Sequence, residues 1–398
     1  SPTGYMHIGN LRTAIFEYLL AKKYNGSFIL RIEDTDQTRE VEGAIDFIYK
    51  TLELCGFSID EGPNNDKGYG PYIQSERKDI YQAYAKQLVE EGLAYPCFCS
   101  EEELERIRES QEGEDIKGYY GEYAACRKLS FEEISSKILA GEKWTLRLKS
   151  PGSIDKKCVF EDMIKGKIEM PENVQDIVLL KSDGIPTYHF ASVIDDHLMR
   201  TTHIVRGDEW ISSCPIHLQL NKLLGFKTPK FVHVAPIMKA EGEGKRKLSK
   251  RKDPEAAVTY YSEQGYPSES VNEYMMTLAN SNFEDWRRAN KTEDINKFPF
   301  NIKKMSVSGA LFDIAKLDDI SKTVISVMDC KKVFELSHEW AKEYCEPLAR
   351  LYEADFEYAT AILNIDRGNK KPRKDIAKWS DIPDYISYMY DETFSPDY

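Results

Sequence analysis

The order of helical and strand patterns constrains the fold of this chain most. An amphipathic helical pattern over 11–24 leads into a buried-strand pattern over 27–32, and a second amphipathic pattern containing Ala44 and Leu52 follows. Buried-strand patterns return much later, at 177–180, 203–206 and 231–234. Strands that alternate with helices are typical of an α/β fold with a parallel sheet. We therefore predict an α/β sheet whose strands come from two separate parts of the sequence.

The stretch between these two parts has a different character. Residues 97–175 contain a charged helical pattern over 101–111, a Tyr/Gly segment at 118–123 and short mixed strand patterns. We interpret this stretch as an insertion of α+β type. From about Pro254 onward, helical patterns dominate with only short breaks. The chain of 398 residues is long enough for two or three domains.

The composition predicts a protein of a reducing compartment that makes no use of a membrane. Hydrophobic residues make up 41% of the chain, and no run approaches the roughly 18 apolar residues that a membrane span needs. The eight cysteines are scattered apart from one close pair, which favours a reducing compartment over a disulfide scaffold. We therefore expect a cytoplasmic location and no membrane partner.

The formal net charge of −13 predicts weak non-specific binding to nucleic acid. Any contact with RNA would have to come from local basic patches. One such run covers 245–252, and a second is formed by Arg367, Lys370, Lys371, Arg373, Lys374 and Lys378. A solvated charged surface is the alternative interpretation of both runs.

The first amphipathic pattern is preceded by a short string that is typical of a phosphate site. The string His7-Ile8-Gly9-Asn10 leads directly into the helical pattern, which we expect to begin at about Asn10, with Asn10 as its N-cap. A helix N-terminus attracts anions, Gly4 and Gly9 allow close approach of the backbone, and His7 can hydrogen-bond a phosphate oxygen. An ordinary loop that enters a helix is the alternative.

A second phosphate candidate lies in the basic run Lys247-Leu248-Ser249-Lys250-Arg251, which follows the glycine-containing stretch 241–244. Lys247 and Lys250 can place ammonium groups against a polyphosphate, and Ser249 can add a hydrogen bond. Taken alone, the run could equally be a solvated basic loop.

The two candidates together resemble the signature motifs of one enzyme family. His7-Ile8-Gly9-Asn10 is similar to the HIGH motif of class I aminoacyl-tRNA synthetases, and the basic run is similar to their KMSKS motif, with Asn10 and Arg251 as departures. Six further strings resemble the bacterial type of the glutamyl-tRNA synthetase family. They are Ser1-Pro2-Thr3-Gly4, the stretches 31–36, 70–77 and 186–189, Arg206-Gly207-Asp208-Glu209-Trp210, and 308–313.

The resemblance implies a division into domains. It implies a Rossmann-like nucleotide-binding catalytic domain in two halves, with an inserted α+β acceptor-binding domain, a connecting domain that carries the basic loop, and an all-α anticodon-binding region. The corresponding ranges are 1–96 and 176–240, 97–175, 241–309 and 310–398. We expect residues to precede Ser1, among them an arginine of the family's substrate site, and we expect the anticodon-binding region to be incomplete.

The resemblance also implies an activity and its partners. It implies ATP-dependent activation of L-glutamate to glutamyl-adenylate, with Mg²⁺ on the phosphates, and transfer to the 3′ end of glutamate tRNA by a monomeric enzyme. The implied catalytic residues are His7, Lys247 and Lys250. The implied ATP site consists of Gly4, His7, Gly9, Asn10, Lys247, Ser249 and Lys250.

A glutamate pocket requires one anionic partner for the ammonium group and cationic or hydroxyl partners for two carboxylates. By resemblance, this pocket is formed by Ser1, Glu33, Tyr188, Ser192 and Arg206. An arginine there would discriminate glutamate from glutamine by charge. From the residues alone, Glu33 and Arg206 could instead form a helix cap or a salt bridge, and Tyr188 could be a core residue.

The close cysteine pair resembles part of the zinc knuckle that many of these synthetases carry in the inserted domain. Three thiolates from Cys97, Cys99 and Cys126 would need a fourth donor for a tetrahedral structural site. Lys128 occupies the position of the family's common histidine, so we predict Tyr123 as the fourth ligand. Tyr119 and Tyr120 are further candidates, and free buried cysteines are the alternative to zinc.

Two rival functions remain open at this point, and a third, glutaminyl-tRNA synthetase, is disfavoured because Glu33-Asp34-Thr35-Asp36 differs from the usual acidic string of that family. A tRNA-modifying paralogue, similar to glutamyl-queuosine synthetases, activates glutamate but loads it onto a modified base, and it generally lacks an anticodon-binding region. A non-catalytic synthetase-like RNA-binding protein is the second rival, against which His7, Lys247, Ser249 and Lys250 argue. The sequence does not predict whether glutamine tRNA is also a substrate.

Overall fold

The computed structural model describes residues 4, 6–36, 41–280 and 282–394. The α-helices in this part of the chain are α1 (Ile8–Lys23), α2 (Ala44–Leu54), α3 (Lys78–Glu90), α4 (Glu101–Ser110), α5 (Phe131–Leu139), α6 (Tyr188–Leu198), α7 (Cys214–Leu223), α8 (Val258–Gln264), α9 (Ser268–Ala279), α10 (Phe283–Ala289), α11 (Ile314–Ser326), α12 (Cys330–Tyr344), α13 (Glu346–Ala354), α14 (Phe356–Leu363) and α15 (Ile382–Ile386). Over the same residues, no helix is both long enough and apolar enough to span a bilayer.

The strands belong to three small sheets. They are β1 (Ala94–Cys97), β2 (Thr145–Leu148), β3 (Lys157–Asp162), β4 (Gly166–Pro171), β5 (Val178–Leu180), β6 (His203–Gly207), β7 (Lys230–Val234), β8 (Ile237–Glu241), β9 (Gly244–Lys247) and β10 (Ala310–Leu311). The sheet orders are β1-β2-β5, β4-β3-β7-β6 and β10-β8-β9. The predicted mixture of α and β structure is confirmed.

The chain divides into two compact units. Of the described residues, the first unit comprises 29–36, 41–42 and 59–233, and the second unit comprises 4, 6–28, 43–58, 234–280 and 282–394. The two units reflect which residues lie close together in space. They do not test the predicted division into functional domains, which remains a prediction.

The four-stranded sheet of the first unit places several polar residues near one another. β3 pairs with β4 in antiparallel register and with β7 in parallel register, where Asp162 lies opposite Phe231. Phe231 packs with Phe160 and Cys214 in a small apolar cluster beside this sheet. Asp162 and Arg206 are therefore on strands of one sheet, β3 and β6, with β7 between them.

The three-stranded sheet of the first unit departs from the predicted strand pairing. We expected 177–180 to continue the sheet that contains 203–206 and 231–234. Instead β5 pairs in antiparallel register with β2, with Leu180 opposite Leu146. A short apolar run predicts a buried strand but does not encode its partner, which explains the error.

The prediction of a strand over 27–32 is wrong, because no continuous strand forms there. Only isolated parallel bridges are present in this stretch, between Ile29 and Glu61 and between Ile32 and Ile73. The N–H of Leu30 donates to the carbonyl of Glu61 at 2.9 Å, so the backbone is extended without forming a continuous ladder.

The second unit has two apolar regions. Near its N-terminal helix, Phe16 of α1 stacks on Phe300 with 6.0 Å between ring centroids. The helices from α11 onward enclose a separate core around Val333, Tyr352 and Ile382. The predicted dominance of helices beyond about Pro254 is confirmed.

Candidate active site

The residue that caps the N-terminus of α1 is not the predicted one. The helix begins at Ile8, and His7 is the N-cap, with its Nδ1 accepting the N–H of Gly9 at 2.9 Å. The prediction that Asn10 caps a helix beginning at Asn10 is wrong, because Asn10 lies in the first turn and its own N–H donates to the carbonyl of His7 at 2.8 Å. An imidazole nitrogen can accept this bond as an Asn or Ser oxygen does.

The same histidine is connected to the basic run. Burial lowers the pKa of His7 below its ordinary 6.5, while a hydrogen bond to the backbone of Leu248 acts in the opposite direction. The positive charges of Lys250 and Lys247 lower this pKa further. His7 is therefore neutral at neutral pH, and because Nδ1 accepts from Gly9, the hydrogen-bond network assigns the proton to Nε2. The structure brings the two predicted phosphate motifs together within the second unit.

Close packing against His7 explains why residue 9 is a glycine. A side chain at Gly9 would place its Cβ 3.1 Å from Nδ1 of His7 and would crowd the capping bond. Gly4 has a φ of +146°, which favours glycine.

The basic run itself continues a hairpin. β8 and β9 pair in antiparallel register, and Gly242 has a φ of +58° in the turn that joins them. Leu248, directly after β9, is buried and donates its N–H to the carbonyl of Ile237 at 2.9 Å. Lys247 and Lys250 on either side of it are exposed. The leucine thus anchors the segment on which the two lysines lie.

The buried carboxylate of Asp253 fixes this segment through hydrogen bonds. Asp253 accepts hydrogen bonds from Nη1 and Nη2 of Arg246 at 2.5 and 2.7 Å and from the N–H of Ser249 at 3.0 Å. Nζ of Lys239 lies 3.1 Å from Oδ1 of Asp253. The hydrogen bond from Arg246 is the main reason that the pKa of Asp253 falls far below its usual range. Asp253 was not predicted from the sequence, although an acidic residue just after a basic run was a usable signal.

Three predicted glutamate-binding residues lie together in the first unit. Tyr188, the first residue of α6, lies close enough to Arg206 and Glu33 for both charges to act on its hydroxyl. Burial raises the pKa of Tyr188, the charge of Glu33 raises it further, and Arg206 opposes both effects. The ring of Trp210 lies 4.7 Å from the ring of Tyr188 and covers it, a contact that the sequence analysis missed. A carboxylate, a phenol and a guanidinium thus share one location.

The other two predicted pocket residues have different outcomes. Ser192 lies one helical turn after Tyr188 on α6 and is buried. Ser1 lies outside the described residues.

Glu33 is also part of a salt bridge, as the alternative interpretation held. Nη2 of Arg31 donates to Oε1 of Glu33 at 3.0 Å, and Nη1 of Arg31 donates to Oδ1 of Asp196 at 2.9 Å. A carboxylate has acceptor capacity for more than one donor, so this ion pair orients Glu33 and leaves it able to accept from a ligand.

Arg206 has several partners that the sequence did not predict. Its Nε donates to Nε2 of His233 at 3.1 Å, its Nη1 lies 3.4 Å from Nδ1 of His217, and its Nη2 donates to Sγ of Cys214 at 3.4 Å. His233 in turn contacts Asp162 at 2.7 Å. No motif surrounds these residues, so no sequence signal pointed to them.

The three predicted cysteines form a cluster that could hold a metal ion. The Sγ atoms of Cys97, Cys99 and Cys126 all lie within 4.8 Å of one another. Hydrogen bonds from Cys126 and Cys99 lower the pKa of Cys97 strongly, which favours its thiolate. The hydroxyl of Tyr119 lies 3.4 Å from Sγ of Cys99, whereas the hydroxyl of Tyr123 donates to Glu114. This geometry is compatible with a zinc site and favours Tyr119 over Tyr123 as the nearest fourth donor.

The second basic run is partly structural. Nε of Arg367 donates to the carbonyl of Leu363 at 2.6 Å, and Nε of Arg373 pairs with Asp375 at 2.6 Å. Lys370 and Lys371, by contrast, are exposed. Only part of this run is therefore available as a surface for RNA.

Comparison with known proteins identifies the family. Residues 1–319 match the family of class I tRNA synthetases (E and Q), catalytic domain. A glutamate–tRNA ligase of Clostridium perfringens is 52% identical, and the match covers 99% of this chain and 73% of that protein. A glutamate–tRNA ligase of Acetivibrio thermocellus is 49% identical with the same coverage.

Solved structures agree with this match. The crystal structure of a glutamate tRNA ligase from Elizabethkingia meningosepticum, in complex with its amino acid, superposes with a TM-score of 0.83 at 31% identity. The superposition covers 100% of this chain and 79% of that one. The chain belongs to the class I tRNA synthetases for glutamate and glutamine, and within them to the glutamate–tRNA ligases.

Proposed function

We propose that this chain activates L-glutamate with ATP to glutamyl-adenylate and transfers the glutamyl group to the 3′ end of glutamate tRNA. Membership of the glutamate–tRNA ligases supports this activity. The proximity of Tyr188 to both Arg206 and Glu33, whose charges act on its hydroxyl, is the observation that carries the assignment of glutamate. These three groups match an amino acid that has two carboxylates and one ammonium group.

In the proposed pocket, Arg206 binds one carboxylate of glutamate and Glu33 binds the ammonium group. Glutamine lacks one of the two negative charges, so a buried guanidinium discriminates against it. Tyr188 and Ser192 supply hydroxyl groups, and Ser1 is proposed as a further contact on the basis of the family motif alone. Arg206 is buried and Tyr188 is half-buried, which strengthens these polar contacts because water competes less.

The proposed phosphate site consists of the α1 N-terminus and the basic run. In the activation step, an oxygen of the α-carboxylate attacks the α-phosphorus of ATP, the bond to the β-phosphate oxygen breaks, and pyrophosphate leaves. No protein nucleophile is needed, so the rate depends on alignment and on cations near the developing negative charge. Lys247 and Lys250 are proposed as these cations and neutral His7 as a hydrogen-bond partner of the phosphates, with Ser249, Gly4, Gly9 and Asn10 as further ATP contacts. Mg²⁺ on the phosphates would offset part of the same charge.

We also propose the domain functions that the family resemblance implies. The parallel bridges at Ile29 and Ile32, within 1–96, support a Rossmann-like arrangement. The cysteine cluster, all of whose members lie within 97–175, supports an inserted acceptor-binding domain there. The helical core around Val333 supports an anticodon-binding region over 310–398.

For the cysteine cluster we propose a structural zinc ion. Three thiols within 4.8 Å and a neighbouring phenol form a donor set that suits tetrahedral zinc. The contact of Tyr119 with Cys99 supports Tyr119 as the fourth ligand in place of Tyr123. Zinc bound there would cross-link the end of β1 to the segment around Cys126.

Measurement of ATP–pyrophosphate exchange and of tRNA charging tests the proposed function. We expect exchange that requires glutamate and, by family resemblance, glutamate tRNA, and we expect labelled glutamate on intact tRNA. Exchange with glutamine but not with glutamate, or no exchange under any condition, would contradict the proposal. Transfer to a tRNA that lacks its terminal adenosine would instead favour the base-modifying alternative.

A further inference from the structure

Behind Arg206 lies a chain of buried polar groups that the proposed reaction does not use directly. The side chains of Asp162 and His233 are both fully buried, on β3 and β7. Nδ1 of His233 lies 2.7 Å from Oδ2 of Asp162, and Nε2 of His233 lies 3.1 Å from Nε of Arg206. A carboxylate, an imidazole and a guanidinium are thus connected in series.

The surroundings of Asp162 fix its protonation state. Its Oδ1 accepts the backbone N–H groups of Ile164 and Lys165 at 2.9 and 2.8 Å, and its Oδ2 accepts the backbone N–H of His233 at 2.9 Å. Burial tends to raise the pKa of Asp162, but the hydrogen bonds from His233, Lys165 and Ile164 outweigh burial and lower it. Asp162 is therefore an ionised carboxylate, which can only accept hydrogen bonds.

The ionised carboxylate selects the tautomer of His233. Because Asp162 has no proton to donate, Nδ1 of His233 must carry the hydrogen of the bond between them. The Nε–H of Arg206 donates to Nε2, so Nε2 is the acceptor of the ring and the hydrogen lies on Nδ1. The opposite tautomer would turn an N–H toward the guanidinium and would replace a hydrogen bond by a repulsive contact.

The remaining contacts of Arg206 are less directional. His217 and Cys214 lie at 3.4 Å from its two terminal nitrogens, at the long end of hydrogen-bond distances. Burial and the charge of Arg206 hold the pKa of His217 well below 6.5, so His217 adds no second positive charge. The bond from Nε to His233 is thus the shortest of these three contacts.

We propose that Asp162 and His233 are positioning residues for glutamate binding, in which Asp162 selects the tautomer of His233 and Nε2 of His233 orients the guanidinium of Arg206. This inference rests on the proposed assignment of Arg206 to the glutamate pocket. It extends the specificity site by two residues that touch no substrate and that lie outside every recognised motif. Loss of their hydrogen bond should weaken glutamate binding and leave ATP binding unchanged.

Two variants at His233 test the proposal as a matched pair. His233→Gln retains an acceptor oxygen at the depth of Nε2, whereas His233→Leu does not, and both remove the ring bond to Asp162. We expect KM for glutamate in ATP–pyrophosphate exchange to rise about tenfold to hundredfold in His233→Leu and to stay within a few-fold of the wild type in His233→Gln. KM for ATP should not change in either. Because KM does not depend on the amount of folded enzyme, partial unfolding does not affect this comparison.

Asp162→Asn tests the choice of tautomer separately. Its carbonyl can still accept from Ile164 and Lys165, but its amide nitrogen loses the bond from the backbone N–H of His233 and donates toward Nδ1, which favours the opposite tautomer. We expect KM for glutamate to rise as in His233→Leu. Where exchange is too slow to measure, the dissociation constant for L-glutamate from calorimetry replaces KM. Equal glutamate affinity in His233→Gln and His233→Leu, or unchanged affinity in Asp162→Asn, would overturn the proposal.

Arg206→Leu separates this inference from the proposed function. If Arg206 belongs to the pocket, this variant loses glutamate-dependent exchange. A wild-type chain without glutamate-dependent exchange, or an Arg206→Leu variant with normal glutamate affinity, refutes the assignment of the pocket itself. A severe defect in Arg206→Leu together with normal affinity in the Asp162 and His233 variants refutes only the positioning role.

Discussion

Asp253 is 1% exposed and accepts hydrogen bonds from Arg246 and from the amide of Ser249, with Lys239 on its other side. Two of these partners belong to the basic run that carries Lys247 and Lys250. The carboxylate thus neutralises part of a crowded positive charge and fixes the backbone on which the proposed catalytic lysines lie. Cations that are already in place when negative charge develops stabilise a transition state more than mobile ones do.

Asp253→Asn should therefore slow glutamate activation. An amide accepts more weakly from Arg246 than a carboxylate does and leaves the positive charges of the run unbalanced. We expect kcat for ATP–pyrophosphate exchange to fall about tenfold to hundredfold, with KM for glutamate changing much less.

Glu255→Gln is the matched control for Asp253→Asn. Glu255 also pairs with Lys239, but neither Arg246 nor the amide of Ser249 contacts it in the described structure. We expect its exchange rate to stay close to that of the wild type. Equal losses in the two variants would assign the effect to Lys239 and not to the anchoring of the basic run.

At the scale of elements, the first turn of α1 depends on a histidine cap. His7→Ala removes the acceptor for the N–H of Gly9 and should lower the free energy of unfolding by about 1 kcal/mol. His7→Asn keeps an acceptor suited to an N-cap and should retain most of that stability. Both variants should lose activation rate if His7 acts on phosphate. Urea denaturation and exchange assays of the same samples separate the two roles, and equal stability of both variants would argue against the cap.

The lowered pKa of His7 predicts a pH dependence with a definite sign. The unfolded chain binds a proton at this residue near pH 6.5, whereas the folded chain does so only at lower pH. The folded state therefore loses stability as the pH falls below about 6.5 toward the folded pKa, and it loses none above that range. Relative to His7→Asn, the wild type should become progressively less stable between pH 7 and pH 5. A constant difference across that range would contradict the assignment.

The cysteine cluster allows a second prediction at this scale, which concerns the loss of bound metal when one cysteine is removed. We expect purified protein to contain zinc and Cys126→Ser to lose it, since three thiolates supply most of the binding energy. Cys158→Ser is the control because Cys158 lies outside the cluster, with its thiol near the carbonyl of Pro171. Metal analysis of the three proteins decides the point, and zinc retained by Cys126→Ser would refute the site.

Two phenylalanine variants identify the fourth ligand. Tyr119→Phe removes the hydroxyl beside Cys99 and should weaken zinc retention against a chelator. Tyr123→Phe removes a hydroxyl that bonds Glu114 and should have little effect. The reverse order would restore the original prediction of Tyr123.

At the scale of the whole molecule, the sequence motifs predict the proposed ligand-binding residues but few of the residues that position them. Glu33, Tyr188 and Arg206 stand in strings that resemble a family, and the structure brings them together. Asp162 and His233 could not be predicted, because their pairing depends on the register of strands that are far apart in sequence. The N-cap was assigned to Asn10 because asparagine is a common cap, while the actual cap, His7, uses a rarer acceptor.

The same limit applies to the sheets. Periodicity predicted most strands and helices near their observed positions, but it did not predict that β5 pairs with β2. Strand partners are selected by tertiary packing, which one-dimensional patterns do not contain.

The net charge of −13 restricts tRNA binding to local basic surface. In the second basic run, Lys370 and Lys371 are exposed and available for such contact. We expect Lys370→Glu combined with Lys371→Glu to raise KM for glutamate tRNA about tenfold or more, because each phosphate contact adds a salt-dependent term. The plot of log affinity against log salt should become less steep. Lys331→Glu, at a lysine that is 83% exposed outside this run, is the control and should leave both quantities unchanged. Normal tRNA affinity in the double variant would show that this run is a solvated surface.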